Sequence, residues 1–273
     1  MDSKGVKDEE MELLVADLLE VYGYDFTNYA RASLKRRLNR LYALDGFPSF
    51  AEFRYRIKSD PDYLKRFVEE ITVNVTEMFR DPQFYKKLRE EVLPVLATYP
   101  LIRIWHAGCS TGEEVYSMAI VLSEMGLLQK SLLYATDLNP DVLEVARTGI
   151  YSLNHMKLHS ENYIASGGTK DFSSYYTAKY DRAKFKDSLK GKMIYATHNL
   201  VSDKSFNEFQ LILCRNVLIY FDKDLQEKVL HLFDQSLEQL GFLALGSKET
   251  IRFSGIATKY KQLEGEKVWR KTK

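Results

Sequence analysis

Residues 107 to 114 read AGCSTGEE, between the apolar run LIRIW and the helical pattern VYSMAIVL. Two chemistries use a small-residue turn placed between a strand and a helix. Gly108, Ser110 and Gly112 satisfy G-x-S-x-G, the spacing of a nucleophile elbow that exposes a serine hydroxyl. The same glycines also suit a turn that brings its backbone and a helix N-terminus up to a nucleotide. Glu113 and Glu114 close the turn, so any ligand there meets two carboxylates.

The surrounding elements weigh between the two. An elbow strand sits in a sheet whose earlier strands precede it in the chain, with the acid and then the histidine following. Here nearly everything upstream reads as helix, so LIRIW is the first strand of its sheet. Asp137 and His198 follow as acid and histidine candidates, but such residues occur in any chain of this length. The nucleotide turn gains from position 137, because SLLYATD ends a second strand in a carboxylate, where a ribose diol is gripped. A pyrophosphate would be repelled by Glu113 and Glu114, whereas a cationic ligand would not. S-adenosylmethionine carries an ammonium and a sulfonium, which argues for methyl transfer over hydride transfer. Two acids in a first helical turn also favour the helix dipole without any ligand, and that accounts for at least one of them.

The chain has 273 residues, 45% hydrophobic and 28% charged, with a net charge of +1. That is room for one large or two ordinary domains, and the overall field points to neither nucleic acid nor membrane. Cys109 and Cys214 are too few for a disulfide framework, and the five histidines show no metal spacing. The polar start MDSKGVKDEEMELL lacks a signal-peptide core, and no run approaches the ~18 apolar residues of a membrane helix. A cytoplasmic location is expected.

From residue 8 to about 95 the pattern is helical. EEMELLVADLLEVYG stops at Gly23; DFTNYARASLKRRLNRLYALDG carries Leu34, Leu38 and Leu41 on one stripe; SFAEFRYRIKSD is capped by Ser49; PDYLKRFVEEITV follows. After about residue 100, strand and helix patterns alternate: LIRIWHA and EVYSMAIVLSEM, SLLYATD and PDVLEVARTG, FQLILC and KDLQEKVLHLFDQSLEQL. This alternation predicts a parallel, doubly wound α/β sheet. GFLALGSKE and KVWRKT read as closing strands, with room for an antiparallel edge. Residues 151–192 are polar and less regular, as a small inserted subdomain would be. In the second helix Arg31, Lys35, Arg36, Arg37 and Arg40 are five bases with no acid from residue 26 to 44. With Leu34 and Leu38 inward, Lys35, Arg36 and Arg40 project outward, either as a solvated face or as a seat for an acidic helix.

Together these motifs resemble the chemotaxis receptor glutamate methyltransferases, the CheR family. The resemblance runs through NVTEMFRDPQFY (74–85), RIWHAGCSTGEEVYSMAI (103–120), YATDLNPDVLEVARTGIY (134–151), HNL (198–200) and FQLILCRNVLIYFD (209–222). It implies a helical substrate-recognition domain over 1–72, a linker and helix over 73–98, and an S-adenosylmethionine methyltransferase domain of class I over 99–273 with a β-subdomain inserted around 151–192. Carried over by motif, Asn74, Thr76 and Arg80 reach the cofactor from the linker. Gly108 lies in the cofactor turn, Glu113 is its acidic contact and Asp137 holds the ribose. Asn199 and Leu200 touch the adenine end, and Arg215 and Asn216 flank the cofactor. Tyr220, with Arg80, lies near the transferred methyl group, and Lys35, Arg36 and Arg40 meet the substrate.

The implied reaction is methyl esterification of glutamates on chemoreceptor cytoplasmic helices. It uses S-adenosylmethionine, releases S-adenosylhomocysteine, and needs no metal, nucleic acid or membrane insertion; a monomer is expected. A substrate other than a receptor, or a scaffold that binds the cofactor without turnover, are the alternatives. His106, Met78, Val115 and LGSKE (245–249) depart from the family pattern.

Overall fold

The computed structural model describes residues 5–72 and 76–273. The chain divides into two compact units. One holds residues 1–74, with the N-terminal helices, together with Leu218–Val229; the other holds residues 75–217 and Leu230–Lys273.

The first unit is built on α1 (Asp8–Tyr22), α2 (Arg31–Asp45), α3 (Phe50–Ser59) and α4 (Pro61–Thr72). Gly23 ends α1 at φ 74°, a left-handed conformation that glycine adopts without a Cβ penalty. Ser49 caps α3 through its side chain, which accepts from Glu52 N. Leu14, Leu18, Leu38, Leu41, Phe53, Ile57, Phe67 and Ile71 form its core. The second helix begins later than its sequence pattern suggested. Residues 26–30 instead make a loop that bridges to Phe221 through Tyr29 and accepts Asp222 N on Asn28 O.

The second unit opens with α5 (Pro82–Lys87), a π-helical stretch over Leu88–Val92 and α6 (Leu93–Leu96). The helical pattern read through about residue 95 is interrupted here, and α5 starts only at Pro82, because Phe79 (φ 54°) and Asp81 (φ 58°) take left-handed conformations and break the run. The buried Phe79 is anchored there by its N–H, which donates to Ser117 Oγ at 2.9 Å.

Then come β1 (Ile102–Ala107), α7 (Glu113–Glu124), β2 (Ser131–Asp137), α8 (Pro140–Thr148), β3 (Ile150–Ser152), α9 (Met156–Ala165), β4 (Tyr176–Lys179), β5 (Arg182–Phe185), α10 (Asp187–Lys190), β6 (Met193–Thr197), β7 (Phe209–Cys214), α11 (Lys223–Ser236), β8 (Leu237–Leu245), β9 (Tyr260–Gln262) and β10 (Val268–Lys271). The seven-stranded sheet runs β6-β2-β1-β7-β8-β10-β9. Its first five strands are parallel and β10 is antiparallel to both neighbours. Every residue of β7 is buried, as a central parallel strand covered on both faces requires.

Strand order reverses between β1 and β7, and open α/β sheets bind ligands outside the carboxyl ends of the strands at such a point. A separate antiparallel sheet, β3-β5-β4, forms the insert, which also contains α9. The fold is thus helical at the N-terminus, doubly wound after it, and interrupted by a small β-subdomain. One boundary moved: the helical pattern expected through Leu240 ends at Ser236, and β8 begins at once. Leu240 takes φ 67° within the register shift between β7 and β8.

Candidate functional site

The turn after β1 takes its shape from backbone conformation. Gly108 has φ +75° and Gly112 φ +92°. A Cβ on Gly108 would stand 2.6 Å from Val217 Cγ2, and one on Gly112 would stand 2.7 Å from Ala146 Cβ, so both positions need glycine for close approach as well as for φ. Gly108 N and Cys109 N both donate to Thr136 O, at 2.8 and 2.9 Å, which folds the turn over the end of β2.

Asp137 ends β2. Its Oδ2 accepts from Ser110 N at 2.9 Å and its Oδ1 from Asn139 N at 3.0 Å. Burial pushes its carboxyl above the usual range despite these backbone donors. Leu138 N–H also contributes a backbone hydrogen bond to this carboxylate, whose acceptor-only oxygens are the kind of group that a diol donates to.

Glu113 and Glu114 had been paired as carboxylates for one cationic ligand, and the structure separates them. Glu114 Oε1 lies 2.8 Å from Nδ1 of the fully buried His106, and its Oε2 accepts from Arg215 Nη1 at 3.3 Å. Burial raises its pKa, but the His106 hydrogen bond and the Arg215 charge outweigh that and hold the carboxyl low. Glu113 is buried too, and its Oε2 accepts from Thr111 Oγ1 at 2.6 Å. Desolvation pushes it up to about 7, only partly offset by Thr111. A buried carboxylate in this state is stabilised by an incoming cation. The acids therefore fit a nucleoside with a diol and an ammonium, Asp137 for the first and Glu113 for the second.

Arg215 and Asn216 follow β7. The Arg215 side chain is almost fully covered. Its Nη2 donates to Arg80 O at 3.0 Å and to Asp81 Oδ2 at 2.7 Å, and its guanidinium lies 4.1 Å from the Phe84 ring centroid. Arg215 thus ties the end of β7 to the segment before α5 and, through Glu114, to the start of α7. Asn216 has φ 62°, and its N–H donates to Glu249 Oε2 at 2.9 Å. The same oxygen accepts from Gly246 N at 2.6 Å. Glu249 and His106 are among the site's residues to which the sequence assigns no role. Glu249 lies in LGSKE, 33 residues beyond the Asn216 that it holds, so no local pattern marks its partner.

The remaining candidates lie on other segments of the chain. Asn74 lies outside the described residues. Thr76 and Arg80 are half-buried. Asn199 spends its side-chain oxygen on Val201 N, at 2.9 Å, and Leu200 is buried beside it. His198 N donates to Asp137 O at 3.1 Å, while its ring packs edge-on to Trp105 and its Nε2 lies 3.2 Å from Lys204 O. Tyr220 falls in the segment that groups with the N-terminal helices.

On α2, Arg36 and Arg40 are exposed, whereas Lys35 Nζ pairs with Asp8 Oδ1 of α1 at 2.7 Å. Arg31 pairs with Glu12, so part of the basic stripe is already neutralised. Among the described residues no helix is long and apolar enough to cross a membrane, and no group of three or more His, Cys, Asp and Glu could hold a metal ion.

Comparison with known proteins agrees with this layout. Residues 74–268 match the CheR methyltransferase, SAM binding domain, and residues 9–72 match the CheR methyltransferase, all-alpha domain. A Pseudomonas putida protein named as a methyltransferase, Cher3, is 46% identical over 275 residues, covering 100% of both chains. A chemotaxis protein methyltransferase of Listeria monocytogenes is 31% identical over 84% of this chain and 85% of its own. One of Vibrio cholerae is 34% identical over 72% of this chain and 71% of its own.

Proposed function

Because the chain belongs to the CheR methyltransferase family, we propose that its S-adenosylmethionine-dependent methyl transfer esterifies glutamate side chains on the cytoplasmic helices of a chemoreceptor. The observation that carries this reading is the convergence of the Gly108–Glu113 turn, Asp137 and Asn216 at the carboxyl ends of β1, β2 and β7, where the strand order reverses. In this reading Asp137 holds the ribose diol, Glu113 faces the ammonium, and Glu249 fixes the backbone at Asn216.

The bound nucleoside supplies a methyl group activated by sulfonium. The substrate glutamate is already ionised at neutral pH, so no base is required. An oxygen–carbon bond forms as the carbon–sulfur bond breaks, giving a neutral ester and a neutral thioether with no proton to move. The protein's task is to hold, align and exclude water. Arg36 and Arg40, exposed on α2, suit an acidic helix presenting the glutamate, with Lys35 released from Asp8 as a third contact. Tyr220 and Arg80 are assigned to the reacting groups by motif. The reaction is placed in the cytoplasm, where such receptor helices lie.

Calorimetric titration with S-adenosylmethionine and S-adenosylhomocysteine tests the site, and labelled methyl transfer to receptor fragments tests the reaction. Glutamate esters release methanol in mild base, which separates them from N-methyl products. Binding without any transfer would point to the scaffold instead.

A further inference from the structure

Arg37 lies on α2 among the bases of the proposed substrate face, yet it is turned to another task. Arg36 and Arg40 are exposed; Arg37 is half-buried. Its Nη1 donates to Ile71 O near the end of α4, which fixes the guanidinium from one side. From the other side the guanidinium carbon sits 4.5 Å from the centroid of the Tyr220 ring, within the range of a cation–π contact. Arginine suits such a place because its planar, permanently charged head can stack and hydrogen-bond at once.

The Tyr220 backbone is held just as closely. Ala30 N, at the cap of α2, donates to Tyr220 O at 2.8 Å. Phe221 packs edge-on to Tyr29 with centroids 5.2 Å apart, and Asp222 N donates to Asn28 O at 3.0 Å. Helix α2 and the loop before it therefore fix both the main chain and the ring of Tyr220. In the chain, Tyr220 follows Asn216 by four residues.

We propose that Arg37 is a positioning residue for methyl transfer, setting the orientation of the Tyr220 ring from the same helix that receives the substrate on Arg36 and Arg40. The inference rests on the reading in which Tyr220 stands at the transferred methyl group. It assigns two functions to two faces of α2: Arg36 and Arg40 recognise the acidic helix, and Arg37 holds the tyrosine that meets its glutamate. Docking and alignment would then be carried by one rigid element.

The test is methyl transfer to a receptor fragment by the full chain, with kcat and KM measured separately for Arg37→Ala, Arg37→Lys, Arg36→Ala, Tyr220→Phe and the Arg37→Ala/Tyr220→Phe pair. The dissociation constant of S-adenosylhomocysteine is measured alongside. Arg37→Ala is expected to lower kcat by roughly tenfold with KM and nucleoside affinity unchanged, since a partly desolvated cation–π contact is worth about one factor of ten. Arg37→Lys should recover part of the loss, and the pair should be no slower than Tyr220→Phe alone. Arg36→Ala should raise KM instead.

A rise in KM with kcat intact for Arg37→Ala would make it another substrate contact and overturn the inference, as would additive losses in the pair. A wild-type chain that binds the nucleoside but methylates no receptor glutamate would sink the functional reading itself. A wild-type activity that Arg37→Ala leaves untouched would sink only this inference.

Discussion

Ser110 N donates to Asp137 Oδ2 at 2.9 Å, and this single bond joins the turn after β1 to the carboxylate that ends β2. It gives Ser110 a structural use of its backbone and gives Asp137 a fixed orientation before any ligand arrives. Asp137→Ala removes the acceptor for both Ser110 N and Asn139 N along with the proposed diol contact. Two hydrogen bonds to a charged group suggest a loss of about 3 kcal/mol in nucleoside binding, on the order of a hundredfold in affinity. Asp137→Asn, which keeps one acceptor oxygen, should lose less. Calorimetry with S-adenosylhomocysteine reads both, and unchanged affinity in Asp137→Ala would remove the ribose from this place.

Glu113 predicts a pH dependence with a definite sign. Its folded carboxyl is pushed up to about 7 by burial, above the ordinary glutamate value. A raised acid contributes stability below its unfolded value and loses that contribution as pH rises through the folded one. In the ligand-free protein, Glu113→Gln should therefore raise the melting temperature at about pH 8 and change it little near about pH 4. An ammonium partner prefers the ionised acid, so nucleoside affinity should strengthen as pH rises from about 6 to about 8 in the wild type and stay flat in Glu113→Gln. A wild-type affinity that is flat across that window would separate Glu113 from the ligand's cation.

The turn and its acids were legible in the sequence because they are local signals: glycines where φ is positive, a carboxylate closing a strand, an all-apolar run at β7. What was not legible depended on partners distant in the chain. Glu114 looked like a second ligand acid, yet its partners are His106 from β1 and Arg215, 101 residues away. Glu249 is 33 residues from the Asn216 it holds. Arg37 reads as one more surface base until Tyr220 is found beneath it. The helix end at Ser236 was missed because LEQL continues the amphipathic pattern; there, pairing of Leu237 with Phe209 prevails over helical preference.

Gly108→Ala should destabilise for two separable reasons. The residue would adopt φ +75°, and its Cβ would press on Val217 Cγ2 at 2.6 Å. The combined cost is about 2–3 kcal/mol. Adding Val217→Ala relieves the clash but not the backbone strain, so the pair should regain part of what Gly108→Ala loses relative to Val217→Ala. Urea unfolding of the four chains measures this coupling, and strictly additive losses would mean that the close approach to Val217 is of no consequence.

Glu124, at the end of α7, secures the inserted subdomain. Its Oε1 accepts from the hydroxyls of Tyr163 and Tyr175, the latter at 2.9 Å, and from Thr169 N and Oγ1, both at 3.2 Å. Its Oε2 pairs with Arg89 Nη2 at 2.5 Å, and both side chains are largely buried. Burial raises the Glu124 pKa, but these donors outweigh it and leave the carboxyl below its usual value. The contribution is therefore present above the ordinary glutamate range and lost as pH falls through the lowered value. Glu124→Ala leaves Arg89 buried without its charge partner and should cost about 3–5 kcal/mol. Part of that should return in Glu124→Ala/Arg89→Met, where no lone charge remains. Because the lost bonds reach Tyr163, Thr169 and Tyr175, the first region to loosen should be residues 156–185. Limited proteolysis of native protein should then cut there first in Glu124→Ala, and in the wild type only on acidification. Cleavage that begins in the N-terminal helices instead would show that Glu124 does not hold the insert.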